Sequence, residues 1–159
     1  MNSTVKHVPQ TSNVTASGLF HTGIVVPDIT ASMDEMGAVL GITWRPVAER
    51  LMTMAFGDGE FEVLMRYSYS ENGPHHLELI EGVPGTIWDA STGPRLHHIG
   101  YGVTDLDRAI EDVERLGVAF LGGNAPGPDA PRGFAYHASS NSPLIELVND
   151  EVRRRVTGS

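Results

Sequence analysis

Four residues of this 159-residue chain could hold one metal ion between them: His21, Glu78, His98 and Glu146. His21 stands in "LFHTGIVVPDIT" (19–30) and His98 in "RLHHIGYGVTDLD" (95–107). The two phrases align without a gap, so that Gly23 meets Gly100, Val26 meets Val103 and Asp28 meets Asp105. That is an internal repeat, and it governs the reading of everything between. Each half also closes on a strand with a glutamate among aliphatic neighbours, Glu78 in "HLELIE" and Glu146 in "LIELVN". Strand alternation puts His76, Glu78 and Ile80 on one face, and gives Leu144, Glu146 and Val148 a common face. A carboxylate in such a setting is costly unless it is paired or binds a cation. Two carboxylates and two imidazoles related by a repeat would compensate one another around one divalent ion. The mixed nitrogen and oxygen donors suit Co, Ni, Mn, Fe or Zn, and two positions stay open for water or a bidentate substrate.

The neighbouring histidines are read differently. Under strict alternation His97 faces away from His98 and is a packing or supporting residue. His75 and His76 have no counterpart in the repeat and are expected at the surface or at a pocket rim.

The elements that must position these residues follow the same repeat. Residues 19–26 read as a strand, and Asp28 or Thr30 can cap a helix over 31–40 that Gly41 stops. "ITWRPV", "LMTMAF", "FEVLMRY" and "HHLELIE" follow as short apolar or alternating runs, with "GDG" (57–59) as a hairpin turn. In the second half, 96–103 is a strand and Asp105 caps an amphipathic helix carried by Leu106, Ala109, Ile110, Val113 and Leu116. "VAFLG", "GFAYHA" and "PLIELVN" complete it as strands. The fold expected is α+β: two tandem βαβββ modules whose curved sheets surround one metal-binding cavity. The boundaries are a flexible N-terminal arm (1–17), one domain (18–150) and a C-terminal tail (151–159). Within the domain, module 1 spans 18–82, a linker 83–94 and module 2 95–150; the linker is expected to hold one turn of helix near Ile87-Trp88. Met52, Met54 and Met65 are expected to pack the sheets.

Composition narrows the partners. A formal charge of −9 and a pI near 5.1 argue against nucleic acid, whose phosphates require a basic face. The chain has no cysteine, which removes disulfides, thiolate nucleophiles and Cys-ligated zinc. No apolar run approaches the roughly 18 residues of a membrane span, and the first residues lack the apolar core of a signal peptide. A cytoplasmic protein acting on a small molecule is the expectation. Arg45, Arg50, Arg66, Arg95 and Arg132 are scattered and form no phosphate-binding cluster in the sequence.

"FHTGIVVPDI", "HLELIEG", "RLHHIGYGVTDLDRAIEDVERLGV" and the late "LIEL" together resemble the vicinal oxygen chelate superfamily. Its members include glyoxalase I, bleomycin-resistance proteins, extradiol dioxygenases and methylmalonyl-CoA epimerase. The resemblance covers roughly residues 18 to 150 and is nearest to the epimerase and glyoxalase-like branch. It implies metal ligands at His21, Glu78, His98 and Glu146, the four that the repeat selects. At the position of Glu78 the epimerases often carry glutamine and glyoxalase I-type sites carry glutamate, which leaves the branch open. The implied activity is that of a metal-dependent isomerase, epimerase or lyase working by proton transfer through a metal-stabilised enolate. The general base would be Glu146 or, on a neighbouring strand, Glu62; a shift of one residue would turn Glu62 out of the cavity. A metal-free resistance-type binding protein and an extradiol-type dioxygenase are the alternatives, and Glu78 would fill a position that a dioxygenase keeps open. Members of the superfamily often form homodimers.

Overall fold

A computed structural model describes residues 14–57, 59–128 and 130–158 of the chain. Of the arm expected over 1–17, residues 1–13 lie outside the described residues. A single 3-10 turn, Ala16–Gly18, leads into β1 (Leu19–Val26). Then come α1 (Ile29–Leu40), β2 (Ala48–Phe56), β3 (Gly59–Tyr69) and β4 (His76–Glu81). The order repeats as β5 (Arg95–Val103), α2 (Leu106–Arg115), β6 (Ala119–Asn124), β7 (Phe134–Ala138) and β8 (Leu144–Asn149). A last helix, α3 (Asp150–Thr157), follows without a gap. Among the described residues no helix is long and apolar enough to cross a membrane.

Each module begins with the same local chemistry. Asp28, two residues past β1, is extended, and its side chain accepts from the Ala31 amide at 2.9 Å. Asp105 does the same for Arg108 at 3.0 Å. An N-cap of this type satisfies an amide that the first helical turn leaves without a partner. Gly41 then stops α1 at a φ of 68°, a left-handed conformation that glycine adopts without strain. "ITWRPV" is not a strand: only Trp44 makes a bridge, to Ser70, and Pro46 has no amide to extend a ladder.

The eight strands close into one barrel in the order β1-β4-β3-β2-β6-β7-β8-β5. Each module supplies four adjacent strands, and the two seams are the antiparallel pairs β1–β5 and β2–β6. Val26, Ile29 and Leu79 bury α1 against the outside of module 1, and Val103, Ala109, Val113 and Leu147 do so for α2. Inside the barrel Met54, Met65, Ile80, Trp88 and Tyr136 form the central apolar cluster. The segment expected as a linker therefore sends Trp88 into the core, fully buried, and it holds turns rather than a turn of helix. The C-terminal segment expected as a tail is α3, whose Val152 and Val156 pack on Phe20, Tyr69 and Val148.

Candidate metal centre

The β1–β5 seam explains why each histidine phrase reads His-x-Gly. Across it His21 lies opposite Gly100, and Gly23 opposite His98. The parallel neighbours extend both rows: Gly23 pairs with Glu78 on β4, and Gly100 pairs with Glu146 on β8. A Cβ on Gly100 would lie 1.8 Å from Cε1 of His21, and one on Gly23 would lie 2.0 Å from Cε1 of His98. Each imidazole therefore folds over the other module's glycine. The four side chains meet there: their ligand atoms all lie within 4.8 Å of one another, and all four residues are buried.

The individual distances are those of donors around one ion. His21 Nε2 and His98 Nε2 are 2.7 Å apart, and the four imidazole–carboxylate separations run from 3.0 to 3.4 Å. Bonds of roughly 2.1 Å to a shared divalent ion put neighbouring donors about 3 Å apart. Glu78 Oε2 and Glu146 Oε2 are both buried without a hydrogen-bond donor. Burial opposes a charge on His98, but the nearby Glu146 and Glu78 carboxylates outweigh it and raise the imidazole to about 10. His21 is raised for the same reasons. Burial works the other way on the carboxylates, yet the two imidazoles hold Glu146 well below its ordinary range and lower Glu78 as well. Two nitrogens at 2.7 Å have room for only one proton between them, so protons alone leave two carboxylates under-compensated. A divalent ion on neutral imidazoles makes the cluster neutral. The site is capable of coordinating such an ion, and the residues fit it.

The structure also separates the two histidines. The β1–β5 register slips at two places, so that Phe20 is the extra residue on β1 and His97 the extra residue on β5. A bulge breaks the alternation. His97 is consequently not turned away from His98, as strict alternation predicts; the two rings sit with centroids 5.1 Å apart. Burial and the neighbouring His98 push His97 down to about 4, which keeps it neutral. Its Nε2 lies 3.0 Å from the Ile87 carbonyl, which can only accept, so the hydrogen is there. Its Nδ1 is then an acceptor for Nδ1–H of His98 at 2.9 Å. That bond leaves Nε2 of His98 as the nitrogen facing the cluster. In the repeat Phe20 occupies the place of His97, and Nδ1 of His21 is buried without a partner.

Two tyrosines complete the floor, and the sequence reading did not assign them to it. Tyr69 pairs across β3–β4 with Glu78, and Tyr136 pairs across β7–β8 with Glu146. Burial, then the two carboxylates, hold both phenols well above their ordinary range, so both remain neutral donors. A tyrosine directly cross-strand from each glutamate is a second repeat signal, hidden because the second hairpin is shorter. Glu62 is elsewhere. It is exposed and pairs with Thr53 on the outer face, while Val63 and Met65 point inward. The structure does not bring Glu62 to the cluster, because its parity on β3 is that of Glu60 and Leu64. His76 is buried and its Nδ1 donates to the Ser70 carbonyl at 2.7 Å; His75 bonds Thr22 at 2.9 Å on the surface. Neither joins the four.

A cavity of about 630 Å³ opens from Glu78 and Glu146. Met52, Met54 and Met65 line it as well as packing the sheets, and α3 forms part of its wall.

Residues 20–136 match the family model described as the glyoxalase/bleomycin resistance protein/dioxygenase superfamily. No curated protein is a significant match. Among solved structures, methylmalonyl-CoA epimerase from Mycobacterium tuberculosis superposes with a TM-score of 0.56 at 22% identity, over 90% of this chain and 93% of that one. A hypothetical protein from Bacillus halodurans C-125 gives 0.59 at 20% identity, over 82% and 92%. Streptomyces coelicolor methylmalonyl-CoA epimerase in complex with 2-nitronate-propionyl-CoA gives 0.59 at 22% identity, over 82% and 95%. These similarities establish the shared fold.

Proposed function

The chain belongs to the glyoxalase/bleomycin resistance protein/dioxygenase superfamily, and from that premise we propose that it is a metal-dependent epimerase or isomerase, or a glyoxalase-type lyase. The observation that carries this reading is the buried pair of unsatisfied carboxylate oxygens meeting two imidazole nitrogens within bonding range of one ion. His21, Glu78, His98 and Glu146 would be the ligands. A divalent ion bound there would act as a Lewis acid toward two adjacent substrate oxygens, favouring loss of the proton on the carbon beside them.

The chain's own residues supply the rest. With Glu62 on the outer face, Glu146 is the base we assign: it borders the cavity, and its cross-strand Tyr136 keeps a phenolic hydrogen that can support the carboxyl group after it takes the proton. Tyr69 offers the same support to Glu78. Met52, Met54 and Met65 give the cavity beside the cluster an apolar wall. The same reading implies a cytoplasmic enzyme needing neither nucleic acid nor membrane, with a homodimer as its assembled form, which light scattering checks.

The test is α-proton exchange with D₂O, using 2-acyl thioesters, α-hydroxy ketones and hemithioacetals on metal-loaded protein. Glu146→Gln should slow exchange by about 10²–10⁴, the usual cost of losing a general base. Glu78→Gln removes an equivalent ligand charge and should retain most of the exchange. Equal loss in both would mean that ligation alone, and not base chemistry, distinguishes the site. Oxygen consumption without exchange would place the chain among the dioxygenases, and metal-free binding with neither activity among the binding proteins.

A further inference from the structure

The cavity has one wall that the repeat does not supply. α3 has no counterpart after β4, yet its Val152 and Val156 border the space that begins at Glu78 and Glu146. Spaced four apart, the two valines share one face of the helix, and they pack on the cluster of Phe20, Tyr69 and Val148. The Phe20 and Tyr69 rings adjoin the His21 imidazole, with centroids 4.3 and 5.4 Å from it. Tyr69 also pairs with Glu78, so α3 stands beside the His21 and Glu78 side of the cluster.

Eight residues are too few for a helix to keep its shape and place unaided. Both ends of α3 are tied. Asn149, three residues after Glu146, accepts from the Glu151 amide at 2.9 Å and caps the start. At the other end Nη2 of Arg45 donates to the Thr157 carbonyl, where a cation also meets the negative end of the helix dipole. Arg45 belongs to module 1. Its amide donates to the Tyr69 carbonyl at 2.9 Å, and its own carbonyl accepts from Ser68 Oγ at 2.6 Å. One residue thus ties the extra wall to the strand that carries Tyr69.

We propose that α3 is the specificity wall of the site: Val152 and Val156 limit how bulky a group can lie beside the chelated oxygens of a substrate, and Arg45 is the positioning residue that holds them there. The substrate class is accordingly a chelating pair of oxygens whose neighbouring carbon carries only a small substituent. The inference rests on the metal reading above, which places the chelated oxygens at the four ligands. One methylene in an apolar pocket changes discrimination by about 10–200-fold, so trimming either valine is measurable.

Hydroxamates chelate a divalent ion through two oxygens, and their acyl group can be enlarged one methyl at a time. The probes are aceto-, propiono-, isobutyro- and pivalohydroxamate, titrated calorimetrically against Co(II)-loaded protein. The native protein should bind acetohydroxamate about tenfold or more tighter than pivalohydroxamate. Val152→Ala or Val156→Ala should largely remove that preference, with acetohydroxamate affinity and cobalt stoichiometry unchanged. Arg45→Met, which lacks a donor for the Thr157 carbonyl, should remove it too, and Arg45→Lys, which keeps one, should restore it. Equal weakening of all probes in Arg45→Met would show general loosening and overturn the positioning role. Equal binding of the four probes by the native protein overturns the wall, and so does a preference that survives the valine and Arg45→Met substitutions. If no hydroxamate binds in a cobalt-dependent way, the metal reading fails, and this inference fails with it.

Discussion

At the scale of single residues, the site depends on two side chains that are absent and one that is doubled. Gly23 and Gly100 are required for space: each lies under the imidazole of the other module, where a methyl group would sit about 2 Å from ring carbon. Gly100→Ala should displace His21 and lower divalent-metal affinity by about 10² or more, beyond what loss of a supporting contact costs. Gly59→Ala, where a Cβ meets open space, is the control and should bind metal normally in the same titration. His97 acts through His98. Replacing it with Phe, the residue its repeat partner carries at position 20, removes the acceptor that holds the hydrogen on Nδ1. Metal affinity should fall by roughly 10–100-fold, with the circular-dichroism spectrum unchanged. Unaltered affinity would mean that packing alone orients His98.

At the scale of elements, the caps and the last helix matter most. Asp28 and Asp105 lie two residues past the two seam strands and cap α1 and α2, so each cap fixes where the helix after a ligand-bearing strand begins. Asp28→Ala and Asp105→Ala should each cost about 1 kcal/mol in chemical denaturation. The charged face of α2 is not uniformly solvated: Asp112 is buried, held by Arg108 and Arg115, while Glu111 and Glu114 remain exposed. α3 turns an expected tail into a cavity wall because Val152 and Val156 share the side that meets Phe20 and Tyr69.

For the whole molecule, the closed barrel forces four charged or chargeable groups together, and pH decides what compensates them. In metal-free protein the imidazole of His98 is raised to about 10 from an ordinary 6.5. A group raised on folding stabilises fully below its unfolded value, and that contribution fades as pH climbs through the folded value. Glu146, held below its ordinary 4.5, contributes above that value and loses its contribution in acid. Chelator-treated protein should therefore have its highest Tm between about 4.5 and 6.5 and lose stability steadily toward pH 10. Protein loaded with a divalent ion should hold its Tm over the alkaline part of that range, since the ion replaces the protons and stabilises by mass action. Parallel loss with and without metal would show that the cluster is not the source.

The repeat, the four ligand candidates, both capping aspartates and the α+β succession of elements were legible in the sequence. All are local patterns: a residue type at a fixed spacing, or an apolar period of two or 3.6. What the tertiary structure alone decided depends on pairing between strands far apart in the chain. The bulge at His97 is a property of the β1–β5 register, invisible to alternation within β5. Glu62 was a candidate base until its parity on β3 was fixed by Met65 facing the cavity. Tyr69 and Tyr136 join the site only because strands pair across hairpins of different length. Residues from β2, the segment before β7 and α3 border one cavity only because the barrel closes and α3 packs across its opening. Spacing along a chain fixes which face a side chain takes within its own element; only the closing of the sheet fixes which other faces it meets.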